Sequence, residues 1–155
     1  MPPADPVRTL SLMIDYLFGG GVSKVLPREE VRLVRSRRSG RVKLVFIGGN
    51  LFATVKPNGA MALSLFGARL LLRSPKFKEN CVAVDDVASG FVHGGKSVFC
   101  KFVVKAGSRV LPRSEVAIVD GRGDLLGLGT AVINGKFIKQ FRSGVAVKVR
   151  VGVRR

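Results

Sequence analysis

Apolar residues recur at helical spacing near the start of the chain, at Val7, Leu10, Ile14 and Leu17. This spacing predicts a helix with one apolar face. Asp5 and Pro6 directly precede it and suit its N-cap and first turn. Three glycines, residues 19–21, follow. No strand precedes them and the spacing is not that of a phosphate loop, so they predict the end of the helix.

Beyond residue 30 the spacing changes from helical to alternating. The pattern predicts strands over residues 31–35, 41–47, 51–55 and 60–65, and a short helix over 66–72. Within the second strand, Val42, Leu44 and Phe46 fall on one face. We therefore expect a hairpin that buries this face and shows arginine on its other side and at its tip.

The second half of the chain predicts one short helix among strands. The strands are expected at residues 81–84, about 98–105, 115–119, 125–133 and 145–153. Asp85 and Asp86 cap the helix, which carries Val87 and Phe91 and ends at residues 94–95. In the last strand valine alternates with basic and small residues, which predicts one apolar and one basic face. Together these elements indicate a small closed or half-closed β-barrel with short helices.

The polar segment from Ser74 to Asn80 is the best candidate for a domain boundary, because Ser-Pro favours a turn. We expect an N-terminal α+β module over residues 1–76 and a second domain over residues 77–155.

The chain is strongly basic, with 27 Lys and Arg against 10 Asp and Glu and a net charge of +17. No acidic residue lies between Glu30 and Glu79, and none follows Asp124. Such acid-free segments favour a polyanionic partner. Phospholipid would require a basic amphipathic helix or a lipid anchor, whereas these cations fall mostly on strands. With no apolar run of about 18 residues and no signal-peptide pattern, we expect a cytoplasmic protein and no membrane partner.

Candidates for chemistry are few. Cys81, Cys100 and His93 are the only soft metal ligands, and their scattered positions do not match a zinc site. Both cysteines occupy apolar strand positions, where a reactive thiolate is disfavoured. We expect no catalytic residue, no metal, no cofactor and no small-molecule substrate.

Residues 81–153 resemble the PUA domain, and the segment before them resembles the one that precedes PUA in archaeal tRNA-guanine (archaeosine) transglycosylases. The residues that carry the PUA resemblance are Val82–Asp86, Phe91–Val104, Glu115–Asp120 and Gly144–Arg150. The residues that carry the resemblance of the preceding segment are Asp15–Gly19, Val34–Ser36 and Leu51–Gly59. The resemblance implies an α+β protein, in which a small N-terminal module is followed by a PUA-type pseudo-barrel of mixed strands with short helices. It also implies an RNA ligand, with tRNA bound at the acceptor stem and 3′ end. The family's catalytic residues lie in a TIM-type barrel, which needs about 250 residues, so we expect a non-catalytic accessory or separately encoded subunit of a transglycosylase.

The resemblance places Lys96, Phe99 and Lys101 beside the groove that receives RNA. Phe99 is expected either to stack on an unpaired base or to lie in the core, and the sequence leaves both open. The other candidates for RNA contacts are cations, namely Lys148, Arg150, Arg35, Arg37, Arg38, Arg41, Arg73, Lys76 and Lys78. Two alternatives stay open: a ribosome-associated or translation-factor-like PUA protein that binds rRNA, and an enzyme with a site of its own.

Overall fold

The computed structural model describes residues 5–28 and 30–153. Arg154 and Arg155, which belong to the second acid-free segment, lie outside the described residues. The chain divides into two compact units, the first ending at Phe77 and the second beginning at Lys78.

The first unit begins with helix α1, Pro6–Phe18, and the predicted helix is confirmed. The Asp5 carboxylate caps it by accepting a hydrogen bond from the Val7 amide at 3.0 Å. The buried side chains are Leu10, Ile14 and Phe18. Phe18, four residues after Ile14, therefore completes the buried face in place of Leu17. Gly21 then adopts a φ of +91°, as the turn into a short 3₁₀ helix at Val22–Val25 requires.

A four-stranded antiparallel sheet follows in the first unit. Its strands, in spatial order, are β1 (Val31–Arg35), β2 (Val42–Ile47), β3 (Asn50–Val55) and β4 (Met61–Leu63). Helix α2, Leu65–Leu71, follows and is capped by the Ser64 hydroxyl, which accepts from the Gly67 amide. Gly67 lies so close to β3 that a Cβ atom there would be 2.3 Å from the Phe52 carbonyl oxygen.

The prediction of the buried face of β2 is correct at Val42 and wrong at the residues after it. The buried side chains of β2 are Val42, Val45 and Ile47, while Leu44 and Phe46 are half-buried. In the pairing with β1, Arg35 lies opposite Val42 and Val34 opposite Leu44, so Lys43 is an extra residue. Such a bulge reverses the alternation of faces along a strand.

The second unit is a nearly closed pseudo-barrel. Its elements are β5 (Cys81–Val84), α3 (Asp86–His93), β6 (Val98–Phe99), β7 (Val103–Ala106), β8 (Glu115–Val119), β9 (Leu125–Ala131) and β10 (Val145–Gly152). The strand order is β6-β10-β9-β8-β5-β7, with β5 and β8 parallel and the other neighbours antiparallel. Fully buried Val82, Ile118 and Ile138 lie in its core. The α+β class with a pseudo-barrel of mixed strands and short helices is confirmed.

Two strands of the second unit differ from the predicted ones. The strand expected at about 98–105 is split by a 3₁₀ turn at Cys100–Phe102, and β9 ends at Ala131 rather than at residue 133. Helix α3 leaves Val87 and Phe91 exposed. The helix packs instead through Val92, because Gly127 and Gly152 on the strands beneath leave no Cβ atoms in the way.

Strand β10 does not keep the strict alternation that its valines suggest. Ala146 and Val147 are both buried, although they are neighbours. The pairing with β6 shifts between Val145 and Val147, and the pairing with β9 shifts between Val149 and Val151. Arg150 is the extra residue at the second shift. The strand therefore has no continuous apolar face.

Candidate nucleic-acid interface

A concave pocket of about 440 Å³ opens on the second unit. It is lined by Phe91, Lys96, Ser97, Phe99, Lys101, Phe102, Arg142, Ser143 and Gly144. We call this the aromatic pocket. It brings together Lys96, Phe99 and Lys101, the three residues singled out first from the sequence. It adds Phe91, Phe102 and Arg142, which the sequence reading did not select.

Local backbone geometry brings the walls of the aromatic pocket together. The Lys96 amide donates to the Phe91 carbonyl at 2.9 Å and so folds the chain back at the end of α3. The 3₁₀ turn after Phe99 bends the next wall. Its first residue, Cys100, donates through its amide to the Gly144 carbonyl at 2.9 Å, which holds the segment containing Arg142 opposite.

Phenylalanine rings provide the apolar surface of the pocket. Phe99 is 46% exposed, so the core alternative for this residue is wrong. Phe91 is 45% exposed, and its ring centroid lies 6.2 Å from that of the half-buried Phe102. Large exposed rings are costly to leave in water and suit a flat, apolar ligand such as a nucleobase.

Cations border these rings. The Lys96 ammonium lies 5.9 Å from the Phe91 ring centroid, and the Lys101 ammonium lies 5.0 Å from that of Phe102. Arg142 adds a third positive charge. No acidic side chain is found among the described residues that line the pocket. The arrangement can stack a base on a ring while ammonium groups neutralise the adjoining phosphates.

The two cations predicted on β10 differ in their surroundings. Lys148 is exposed. Arg150 forms a bidentate ion pair with Glu115, at 2.6 and 2.7 Å, across the intervening strand β9. Neither residue lines the aromatic pocket. Arg150 instead lines a separate concave surface of about 600 Å³ together with His93 and several glycines.

The predicted arginines of the first unit are partly used to hold its hairpin. Arg35 Nη1 donates to the Gly40 carbonyl at 3.0 Å, and Arg41 Nη1 donates to the Val55 carbonyl at 3.4 Å. Arg37 and Arg38, at the tip, are exposed. Arg35 is exposed as well, whereas Arg41 is half-buried.

The predicted cations between residues 73 and 78 are all exposed. Lys76 donates to the Gly20 carbonyl at 3.2 Å and so steadies the loop after α1. Arg73 lies with it at the end of the first unit, while Lys78 begins the second.

Both cysteines are buried, and neither forms a disulfide within the described residues. Burial raises the pKa of the Cys81 thiol to about 12 and also raises the pKa of Cys100, so both stay protonated at neutral pH. The Asp85 carboxylate accepts from the Ala88 amide at 2.9 Å as the N-cap of α3. Over residues 5–28 and 30–153, no three His, Cys, Asp or Glu residues cluster as metal ligands would. In the same part of the chain, none of the helices has the length and apolar character needed to cross a bilayer.

Comparisons with known proteins agree with this division of the chain. The PUA domain family matches residues 80–153, and the family described as patch-forming domain C2 of tRNA-guanine transglycosylase matches residues 8–77. A tRNA-guanine(15) transglycosylase from Thermoplasma volcanium is 33% identical over 149 residues, 96% of this chain and 23% of the relative. Another from Thermococcus onnurineus is 37% identical over 140 residues, 90% of this chain and 24% of the relative. The chain thus spans about a quarter of the length of these relatives.

Solved structures share the fold at low sequence identity. A hypothetical protein from Pyrococcus horikoshii aligns with a TM-score of 0.74 and 19% identity, over 97% of this chain and 91% of that one. A conserved PUA domain protein from Thermoplasma acidophilum aligns with a TM-score of 0.64 and 17% identity, over 94% and 86%. The chain therefore carries a PUA domain over residues 80–153, preceded over residues 8–77 by a patch-forming domain C2 of the tRNA-guanine transglycosylase type.

Proposed function

We propose that this protein binds tRNA without altering it, and that the aromatic pocket receives an unpaired nucleotide of the 3′ end. The observation that carries the proposal is that the exposed ring of Phe99 lines the same concave, acid-free pocket as Lys96 and Lys101. A ring can stack on any base, so the pocket selects an unpaired nucleotide rather than a sequence. The adjoining acceptor stem would be held by its phosphates.

Phosphate contacts supply the affinity in this proposal. Lys96, Lys101 and Arg142 border the pocket, and Lys148 is a further exposed cation of the second unit. Each phosphate that a cation neutralises releases a counterion, so binding weakens as salt rises. We leave Arg150 out of the direct contacts, because its guanidinium is held by Glu115.

The proposed role is that of an accessory, tRNA-binding part of a tRNA-guanine transglycosylase-type enzyme, acting in the cytoplasm. The relatives that match nearly the whole chain bear that enzyme's name, and the match covers about a quarter of their length. Within the described residues, the cysteines are buried and Asp85 is engaged as a helix cap, which supports a binding role.

Binding of a full-length tRNA transcript and of the same transcript without its unpaired 3′ nucleotides tests the ligand. We expect the trimmed tRNA to bind at least about fivefold more weakly, because one or two stacked bases contribute about 1–3 kcal/mol each. Equal affinity for the two would contradict the proposal. Tighter binding to a ribosomal RNA fragment than to tRNA would favour the ribosome-associated alternative.

Charge-neutral variants test the pocket. The double variant Lys96→Gln/Lys101→Gln should lower the slope of log K against log salt by about 0.7–0.9 for each phosphate contact that is lost. The matched control is Arg113→Gln/Arg122→Gln, which removes the same charge from exposed positions of the second unit outside the pocket. If the control lowers the slope as much, the salt dependence reflects the net charge of the protein, and the pocket is not the binding site.

A further inference from the structure

A second concave surface lies in the first unit, between α1 and the segment after it. It has a volume of about 360 Å³. The polar groups that line it are Asp5, Arg8, Ser11, Ser23, Lys24 and Arg28. We call it the basic cleft. None of its three cations was selected as a binding residue from the sequence.

Asp15 fixes one wall of the basic cleft against the other. Its carboxylate accepts from the Ser23 amide at 2.9 Å, which ties the 3₁₀ helix to α1. Burial alone would raise the pKa of Asp15, but hydrogen bonds from the Ser23 amide and hydroxyl bring it below its ordinary value, so the carboxylate stays charged. Val22 and Leu26, both buried, anchor the same segment. Lys24 is thereby held across from Arg8 on a braced segment rather than a free loop.

The positive charges of the basic cleft are not neutralised by described residues. Arg8, Lys24 and Arg28 are exposed, and within residues 5–28 and 30–153 their side chains make no ion pair or hydrogen bond. Asp5 is the only described carboxylate in the lining, and it accepts from the Val7 amide as the cap of α1. Three cations therefore face a single carboxylate that is already engaged.

We infer that the basic cleft binds a phosphate group, and that in the bound complex this group belongs to the RNA backbone. Three cations from two braced segments, with the Ser11 and Ser23 hydroxyls beside them, match the several oxygens of a phosphate. The hairpin arginines fit this role less well, since Arg35 and Arg41 donate to backbone carbonyls. That the bound phosphate belongs to RNA rests on the proposed function, whereas the phosphate site itself does not.

Inorganic phosphate, titrated into the isotopically labelled full chain, tests the site without RNA. We expect saturable NMR shift changes at the amides of Ser23 and Lys24 that sodium chloride at equal ionic strength does not produce. The variant Arg8→Gln/Lys24→Gln/Arg28→Gln should abolish them. Changes that are unsaturable, or that persist in the variant, would overturn the inference.

Binding of a tRNA transcript identifies the source of the phosphate. In the same triple variant the salt slope should fall by about one to two, the value for one or two lost phosphate contacts. The control Lys43→Gln/Lys56→Gln/Arg69→Gln removes three exposed cations of the same unit outside the cleft, and should change the slope by less than half as much. Saturable phosphate binding with an unchanged tRNA slope would assign the cleft to a free phosphate and refute the RNA source.

The aromatic-pocket variants separate the two proposals. If Lys96→Gln/Lys101→Gln weakens tRNA binding while the cleft variant does not, the inference of an RNA contact in the cleft fails and the proposed function stands. If neither weakens it, the proposed function fails as well.

Discussion

Replacing Phe99 with alanine should weaken tRNA binding about 5- to 30-fold and leave the protein folded. The ring is 46% exposed, so one part packs against the unit and the remainder is open for one stacked base. A base stacked on an aromatic side chain contributes about 1–3 kcal/mol, and one partly exposed ring supports the lower part of that range, about 1–2 kcal/mol. Since each 1.4 kcal/mol is about tenfold in affinity, this gives the stated range.

The cost to stability is smaller. About half of the ring is buried, so its loss should lower the free energy of unfolding by about 1 kcal/mol, half of what a fully buried ring would contribute in transfer free energy. Urea unfolding followed by circular dichroism measures this loss and confirms that the variant is folded at the temperature of the binding assay.

Fluorescence anisotropy with a tRNA labelled at its 5′ end measures the affinity and leaves the 3′ end free. Two further variants separate stacking from apolar volume: Phe99→Trp should keep or improve binding, whereas Phe99→Leu should lose nearly as much as alanine. Val104→Ala is the matched control, because Val104 is 54% exposed on β7, the next strand along the chain, and does not line the pocket. If Phe99→Leu binds like the wild type, or if Phe99→Ala lies within twofold of the control, the stacking argument is refuted.

Two predictions concern the fold. Gly67→Ala should lower the free energy of unfolding by at least about 1–3 kcal/mol, since its Cβ would sit 2.3 Å from the Phe52 carbonyl oxygen. Gly90 also lies in a helix, but no atom is near the position of its Cβ, so Gly90→Ala should raise the free energy of unfolding by about 0.5–1 kcal/mol. Urea unfolding of both variants measures the two changes. Equal effects would contradict the packing described for α2. Cys81 should be unreactive toward a thiol reagent at pH 8.5 in the folded protein and reactive after unfolding, because burial raises its pKa to about 12. In the unfolded chain this thiol ionises near pH 9, so its contribution to stability should be intact below pH 9 and decline between pH 9 and 12. The contribution is measured as the difference in free energy of unfolding between the wild type and Cys81→Ala. If that difference grows with pH, the pKa of Cys81 is shifted in the opposite direction.

The sequence by itself determined the features that depend on neighbouring residues. The caps at Asp5 and Asp85 fixed where α1 and α3 begin, since a carboxylate there satisfies amides within the next few residues. Alternating apolar residues located the first hairpin, and a continuous apolar run located β8. The acid-free segments indicated a polyanionic partner. The four blocks that resemble the PUA domain were recognisable because their order and residues are local properties of the chain.

Only the tertiary structure decided which faces are buried and which side chains meet. Lys43 and Arg150 are extra residues only relative to the strands they pair with, so the bulges that reverse the faces of β2 and β10 are invisible in either strand alone. The same holds for the aromatic pocket. The hydrogen bond from Cys100 to Gly144 brings the segment with Arg142 to the same pocket as Lys101, and such pairings between distant segments depend on long-range packing rather than on sequence spacing.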